Sequence, residues 1–137
     1  METPADLRFA ATHEWVRVED DGTLTVGISH HAQLELGDLV FVETPQVDAE
    51  VEIEAGSGVA VVESVKAASD VHAPLDGRII DANAALAEEP ELVNTDPYGA
   101  GWLFRMSVED TDEVERLMGA EDYEAMVGPE GPEEDQG

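Results

Sequence analysis

Val59-Ala60-Val61-Val62-Glu63-Ser64-Val65-Lys66-Ala67-Ala68-Ser69-Asp70-Val71-His72 is the stretch that decides the fold. Residues 59–62 and 69–72 read as two strands, and residues 63–68 as the turn between them, with Lys66 at or near its tip. Toward the C-terminus, Ala73-Pro74-Leu75-Asp76-Gly77 is the next turn, because proline presets a backbone angle and Asp-Gly supplies turn geometry. Arg78-Ile79-Ile80-Asp81 then reads as a strand. Toward the N-terminus, Gly56-Ser57-Gly58 is a turn and residues 50–53 a further strand. Leu39-Val40-Phe41-Val42 is a short apolar run fit for a buried strand, which Thr44-Pro45 ends because proline cannot donate to a ladder.

The same alternation continues outward. Leu24, Val26 and Ile28 are apolar at strand period, and Asp20-Asp21-Gly22 makes residues 15–18 and 23–28 a hairpin. Residues 30–36 suit one or two helical turns, stopped by Gly37-Asp38. Residues 84–89 suit a short helix that stops at Pro90. Residues 97–101 form a glycine-rich loop, after which Trp102, Phe104, Met106 and Val108 alternate along a last strand. Then the period changes. Val114, Leu117 and Met118, and again Tyr123, Met126 and Val127, follow helical spacing, with Gly119 suited to a helix C′ position between them. The expectation is a mainly β chain of seven to nine short strands with short helices, two of them near the C-terminus, in a sandwich or barrel. Residues 1–6 are expected to be flexible, 7–127 to form the domain, and 128–137, acidic and without an apolar side chain, to be a disordered tail.

Composition narrows the function. Among 137 residues, 33 are Asp or Glu and 6 are Lys or Arg, a formal net charge of −27. Such charge repels phosphate backbones and anionic lipid, so neither nucleic acid nor membrane is an expected partner. Self-repulsion on this scale is relieved where molar salt shortens the Debye length to about 3 Å. Acidic residues run from Glu2 to Asp135 rather than in one block, which points to a protein built for high salt, as in a halophile's cytoplasm. The chain has no cysteine, which excludes disulfides, thiolate metal sites and cysteine nucleophiles. No apolar run approaches the length of a membrane span, and residues 1–9 lack the cationic and apolar pattern of a secretory signal. A cytoplasmic monomer is expected. No metal is expected: His30 and His31 are adjacent and point apart, and His13-Glu14 lacks the second histidine of a zincin pair.

Lys66 is the one lysine; the other cations are Arg8, Arg17, Arg78, Arg105 and Arg116. Arginine can replace lysine as a charge but not as an acylatable amine. On composition alone, a required amine and a chance survivor on a solvated turn carry similar weight. The neighbours favour the first. Ser64 and Val65 precede Lys66, and Ala67, Ala68 and Ser69 follow it, so the tip is open to other proteins. A Schiff-base lysine would need an apolar pocket instead, and Glu63 and Asp70 favour the charged amine. A modified lysine is therefore preferred to a catalytic one, and the chain is not expected to be an enzyme.

Residues 63–71, with Ala73-Pro74 and Asp76-Gly77, resemble the lipoylation segment of glycine cleavage H proteins. His13-Glu14-Trp15-Val16 resembles that family's N-terminal motif. Gly27-Ile28, Ala32-Gln33, Leu36-Gly37-Asp38 and Val40-Phe41-Val42-Glu43 with Pro45 resemble its second block. Leu92-Val93-Asn94, Asp96-Pro97-Tyr98-Gly99 and Gly101-Trp102-Leu103 resemble its third. The likeness runs in order from about Leu7 to Val127, with departures at His30, Glu35 and Asp48.

The resemblance implies a lipoyl-type barrel-sandwich hybrid and lipoate in amide linkage to Lys66. It implies a carrier of the aminomethyl group derived from glycine, shuttling between a pyridoxal-phosphate glycine decarboxylase (P protein), an aminomethyltransferase (T protein) and dihydrolipoamide dehydrogenase (L protein). A lipoate-attaching enzyme would recognise Glu63 and Ala67 beside the lysine. Glu14 and Asp70, and less directly Ile28 and Thr12, would line a cleft that docks the arm. The competing readings are a lipoyl or biotinyl domain of a 2-oxo acid dehydrogenase or carboxylase, a lipoate relay protein using the same lysine, a Schiff-base enzyme, and an interaction module in which Lys66 is incidental. A biotin site would place methionines beside the lysine, where Val65 and Ala67 stand.

Overall fold

The computed structural model describes residues 6–127. The expected flexible start and the tail at 128–137 lie, apart from Asp6, outside the described residues. Among the described residues nine strands form two antiparallel sheets: β1 (Arg8–Phe9), β2 (Glu14–Val18), β3 (Leu24–Ile28), β4 (Leu39–Glu43), β5 (Asp48–Ile53), β6 (Gly58–Ser64), β7 (Ala68–His72), β8 (Gly77–Ala82) and β9 (Phe104–Ser107). One sheet has the order β1-β2-β3-β9-β8-β5 and the other the order β4-β6-β7. The helices are α1 (His30–Leu36), α2 (Leu92–Thr95) and α3 (Ala120–Val127), with 3₁₀ turns at Ala84–Ala87 and Thr111–Arg116.

The strands follow the alternation read from the sequence, and the turns follow their chemistry. In the β2–β3 hairpin Trp15 faces Gly27 and Val16 faces Val26. Gly22 closes it with φ of 86°, a conformation glycine adopts without steric cost. Gly27 is required for a different reason: a Cβ there would stand 2.7 Å from the Trp15 ring. The indole is wholly buried, and its Nε1 donates to the Pro97 carbonyl at 2.8 Å, so its polar end is satisfied. Apolar side chains from both sheets, among them Val26, Val62, Val71, Ile79, Phe104 and Met106, form the main core. A second cluster gathers Leu7, Phe9 and Trp15 around Tyr123 of α3.

The C-terminal reading needs correction. Only the second of the two expected segments is an α-helix; the first is the 3₁₀ turn Thr111–Arg116, started by the Asp110 carboxylate accepting from the Asp112 amide. Gly119 does not end a helix at a left-handed C′ position. It opens α3, its carbonyl accepting from the Tyr123 amide at 3.0 Å. Between the two segments Met118 pairs with Phe9, exchanging two backbone hydrogen bonds of 2.8 and 2.9 Å. That long-range pairing interrupts the helical period at Leu117 and Met118. Within the segment expected as a helix at 84–89 there is likewise only a 3₁₀ turn, Ala84–Ala87, capped by Asn83. Sequence periodicity did not reveal β1 or α2, which have two and four residues.

Candidate functional site

The β6–β7 hairpin carries Lys66 on its tip, and Ser64 builds that tip. The Ser64 amide donates to the Ala67 carbonyl at 2.8 Å, closing the turn. The Ser64 hydroxyl accepts from the amides of Lys66 and Ala67 at 3.3 and 3.1 Å, and lies 3.3 Å from the Ala67 carbonyl, to which it can donate. Ser64 is buried while Glu63, Val65, Lys66, Ala67, Ala68 and Ser69 are exposed. The tip is therefore rigid beneath and open above. No ion pair to Lys66 occurs among the described residues, and its stem passes the end of α1, where Cε would stand 3.7 Å from a Cβ on Gly37. Asn94 fixes that corner: its amide group donates to Gln33 Oε1 and to the Gly37 carbonyl at 2.9 Å each, and its Oδ1 accepts from the Leu39 amide at 2.9 Å.

Beside α1 lies a cavity of about 230 Å³. Thr12, Glu14, Ile28 and Asp70, which the sequence offered as cleft residues, all line it. They come from four places: the β1–β2 turn, the start of β2, the end of β3 and the middle of β7. His13 makes this convergence possible by taking φ of 82°, a left-handed conformation that histidine tolerates better than most side chains. The Ala10 carbonyl accepts from the His13 amide, and the Ala10 amide donates to the Glu14 carbonyl, closing the turn. Leu36, Val62 and Val71 give the cavity apolar walls, and His13 and Glu35 add polar groups.

Glu14 is not a solvated acid. It is 1% exposed, and a buried carboxylate is stable only when hydrogen bonds replace its lost water. Its Oε1 accepts from the Thr12 hydroxyl in a short hydrogen bond. Its Oε2 accepts from the His72 amide at 2.7 Å and contacts His72 Nδ1 at 3.1 Å. Asp70 and Thr12 are exposed, and Ile28 is buried. Sequence reading missed His72, although it stands two residues after Asp70, on the same side of a strand. It also missed the polar set above the cavity. There His13 Nδ1 lies 2.8 Å from the Tyr123 hydroxyl, which lies 2.6 Å from Ser29 Oγ, the N-cap of α1. The His13 and His31 rings are 5.1 Å apart, and His31 Nε2 is 3.4 Å from Glu35. Burial lowers the His13 pKa from its ordinary 6.5, the neighbouring His31 lowers it further, and Glu35 and Glu14 oppose the shift.

The arrangement can hold a small cation against a fixed carboxylate at an apolar wall, within the region swept by a long chain fixed at Lys66. Among the described residues no three His, Cys, Asp or Glu side chains are placed to hold a metal ion, and no helix is long and apolar enough to cross a membrane.

Comparison with known proteins bears on most of the chain. A family model described as glycine cleavage H-protein matches residues 7–130. The glycine cleavage system H protein of Pseudoalteromonas atlantica is 61% identical over 127 residues, covering 93% of this chain and 97% of that one. The one from Halorhodospira halophila is 54% identical over 130 residues, covering 95% and 98%. The crystal structure of a glycine cleavage system H protein from Mycobacterium marinum superposes with a TM-score of 0.79 at 37% identity, over 92% of this chain and 99% of that one.

Proposed function

The chain belongs to the glycine cleavage H-protein family, the lipoyl carriers of the glycine cleavage system, and from this premise we propose that Lys66 is the residue that carries the lipoyl group. Its fold is the lipoyl-type barrel-sandwich hybrid. The observation that carries the proposal is an exposed amine without an ion pair among the described residues, raised on a hairpin tip that Ser64 holds rigid. An amide bond to Nζ needs an amine that an attaching enzyme can reach, and Glu63 and Ala67, exposed on either side, are the side chains such an enzyme would read. When attached, the lipoyl group supplies a dithiolane that takes up and gives off the aminomethyl unit.

The protein's own part is presentation and protection, and by itself it catalyses no reaction. Tethering at Lys66 raises the effective concentration of the arm at each partner in turn. Glu14 and Asp70 offer charge to a protonated amine, Thr12 orients Glu14, and Ile28, Leu36 and Val62 keep water from that side of the cleft. The partners are the decarboxylase, aminomethyltransferase and dihydrolipoamide dehydrogenase of the system, together with a lipoate-attaching enzyme. The carrier domain is 7–127, working as a cytoplasmic monomer at high salt, where screening relieves a net charge of −27. The lipoate-relay and 2-oxo acid dehydrogenase readings are not favoured, since the family match spans residues 7–130.

Intact-mass and peptide analysis of the protein from its own cells tests the attachment, with lipoate expected on Lys66. Glycine–bicarbonate exchange with the cognate decarboxylase tests the pathway: Lys66→Arg is expected to reduce it to background, and equal rates for variant and wild type would refute the proposal. Melting in low and molar KCl tests the salt reading, with a higher midpoint expected at molar KCl.

A further inference from the structure

Glu14 is held by Thr12 and by a second residue, His72. An ionised carboxylate has about four lone-pair sites and can only accept. Two bonds from His72, one from its backbone amide and one from its ring, fill both sites of Oε2. Thr12 fills one site of Oε1. Among the described residues this leaves one acceptor site, on Oε1, in a side chain that lines the cavity. Because the carboxylate cannot donate, Nδ1 of His72 must carry the proton, which fixes the ring's tautomer. Glu14 starts β2 in the six-stranded sheet, and His72 ends β7 in the three-stranded one, so the pair also ties the two sheets together beside the cavity.

We propose that His72 is a positioning residue for cation capture in the cleft: by saturating Oε2 it holds the Glu14 carboxylate in one orientation and reserves the last site of Oε1 for a single N–H donor of a primary ammonium. This inference rests on the reading of Glu14 as the amine anchor. It concerns a part of the site distinct from Lys66, and it can be tested without the lipoyl group. The cleft selects by hydrogen bonding as well as by charge. A primary ammonium can fill the reserved site, and a quaternary ammonium of equal charge cannot.

The test uses the full, unmodified chain at fixed KCl. Methylammonium is titrated while the NMR signals of Thr12, Ile28, Val62 and Asp70 are followed, with tetramethylammonium as the control that has charge but no N–H. Wild type is expected to bind methylammonium more tightly than tetramethylammonium. His72→Phe keeps a ring but removes the donor, and is expected to weaken methylammonium binding roughly tenfold, the equivalent of one charge-assisted hydrogen bond. His72→Asn places an amide N–H near the former Nδ1 and is expected to stay within about twofold of wild type. Melting curves report whether each variant folds; should His72→Phe not fold, His72→Leu makes the same comparison. His72→Phe binding like wild type, or His72→Asn as weak as His72→Phe, overturns the role of His72 while leaving Glu14 as anchor. Equal binding of both cations by wild type, or Glu14→Gln binding like wild type, overturns the anchor reading and this inference with it.

Discussion

At the tip of the β6–β7 hairpin Val65 is 88% exposed and Lys66 stands in solvent, whereas at the start of β2 Glu14 is 1% exposed and held by three hydrogen-bond donors. In the proposed function both charged groups serve one arm, and they are built in opposite ways. The proposed role requires an amine that several enzymes can reach; its surroundings are small side chains, and order comes from below, through Ser64. The carboxylate must hold its direction without water, so its surroundings are donors from two other segments. A carrier needs mobility at one end of the arm and a fixed receptor at the other. The contrast shows that charge alone marks neither end, in a chain with 33 acids.

Substitutions should separate the two regions by what they cost, and the largest cost falls on the buried side. Trp15→Ala, beneath the Glu14 region, should destabilise by about 3–5 kcal/mol in urea unfolding, because it empties a core site and leaves the Pro97 carbonyl without its donor. Glu14→Ala should cost about 2–3 kcal/mol, since Thr12 and two donors of His72 lose their acceptor. A cost near zero would mean that the carboxylate is not needed to join the sheets, and the contrast with the tip would fail. Ser64→Ala should cost about 1 kcal/mol and speed hydrogen exchange at the Ala67 amide, leaving exchange in β2 and β3 unchanged.

Acid should sharpen the comparison, because His13 sits above the cleft and not at the tip. Its folded pKa is lowered from 6.5 by burial first and by His31 second. Between that lowered value and 6.5 the unfolded chain binds more protons than the folded one. The contribution of His13 to stability is therefore fully present above pH 6.5 and is lost as pH falls through the folded value. Melting midpoints of wild type and His13→Asn, compared between pH 8 and pH 5, should diverge in that window, with wild type losing more; asparagine is chosen because it tolerates the positive φ. The smallest effect belongs to Lys66→Arg, expected within about 0.5 kcal/mol of wild type in stability although it removes the proposed attachment amine.

Lys66 and its hairpin were legible in the sequence because everything that defines them is local. The strands alternate, the turn residues are small, and no other lysine competes. The β2–β3 hairpin and α1 were legible for the same reason. The cleft was legible only through the family likeness, which named Glu14 and Asp70 but not what holds Glu14. Its partner His72 is 58 residues away, and the Tyr123 hydroxyl that meets His13 is 110 away. The misplaced helix before Gly119 has a similar cause: the backbone of Met118 is claimed by Phe9, and that pairing overrides the local period.

By itself the sequence determined a mainly β chain presenting one amine on an open turn, because alternation and turn chemistry act over a few residues. Tertiary structure alone decided that one acid among many would be buried, oriented and kept facing a cavity. Burial of a charge is settled by donors that arrive from distant strands, and no local pattern encodes their arrival.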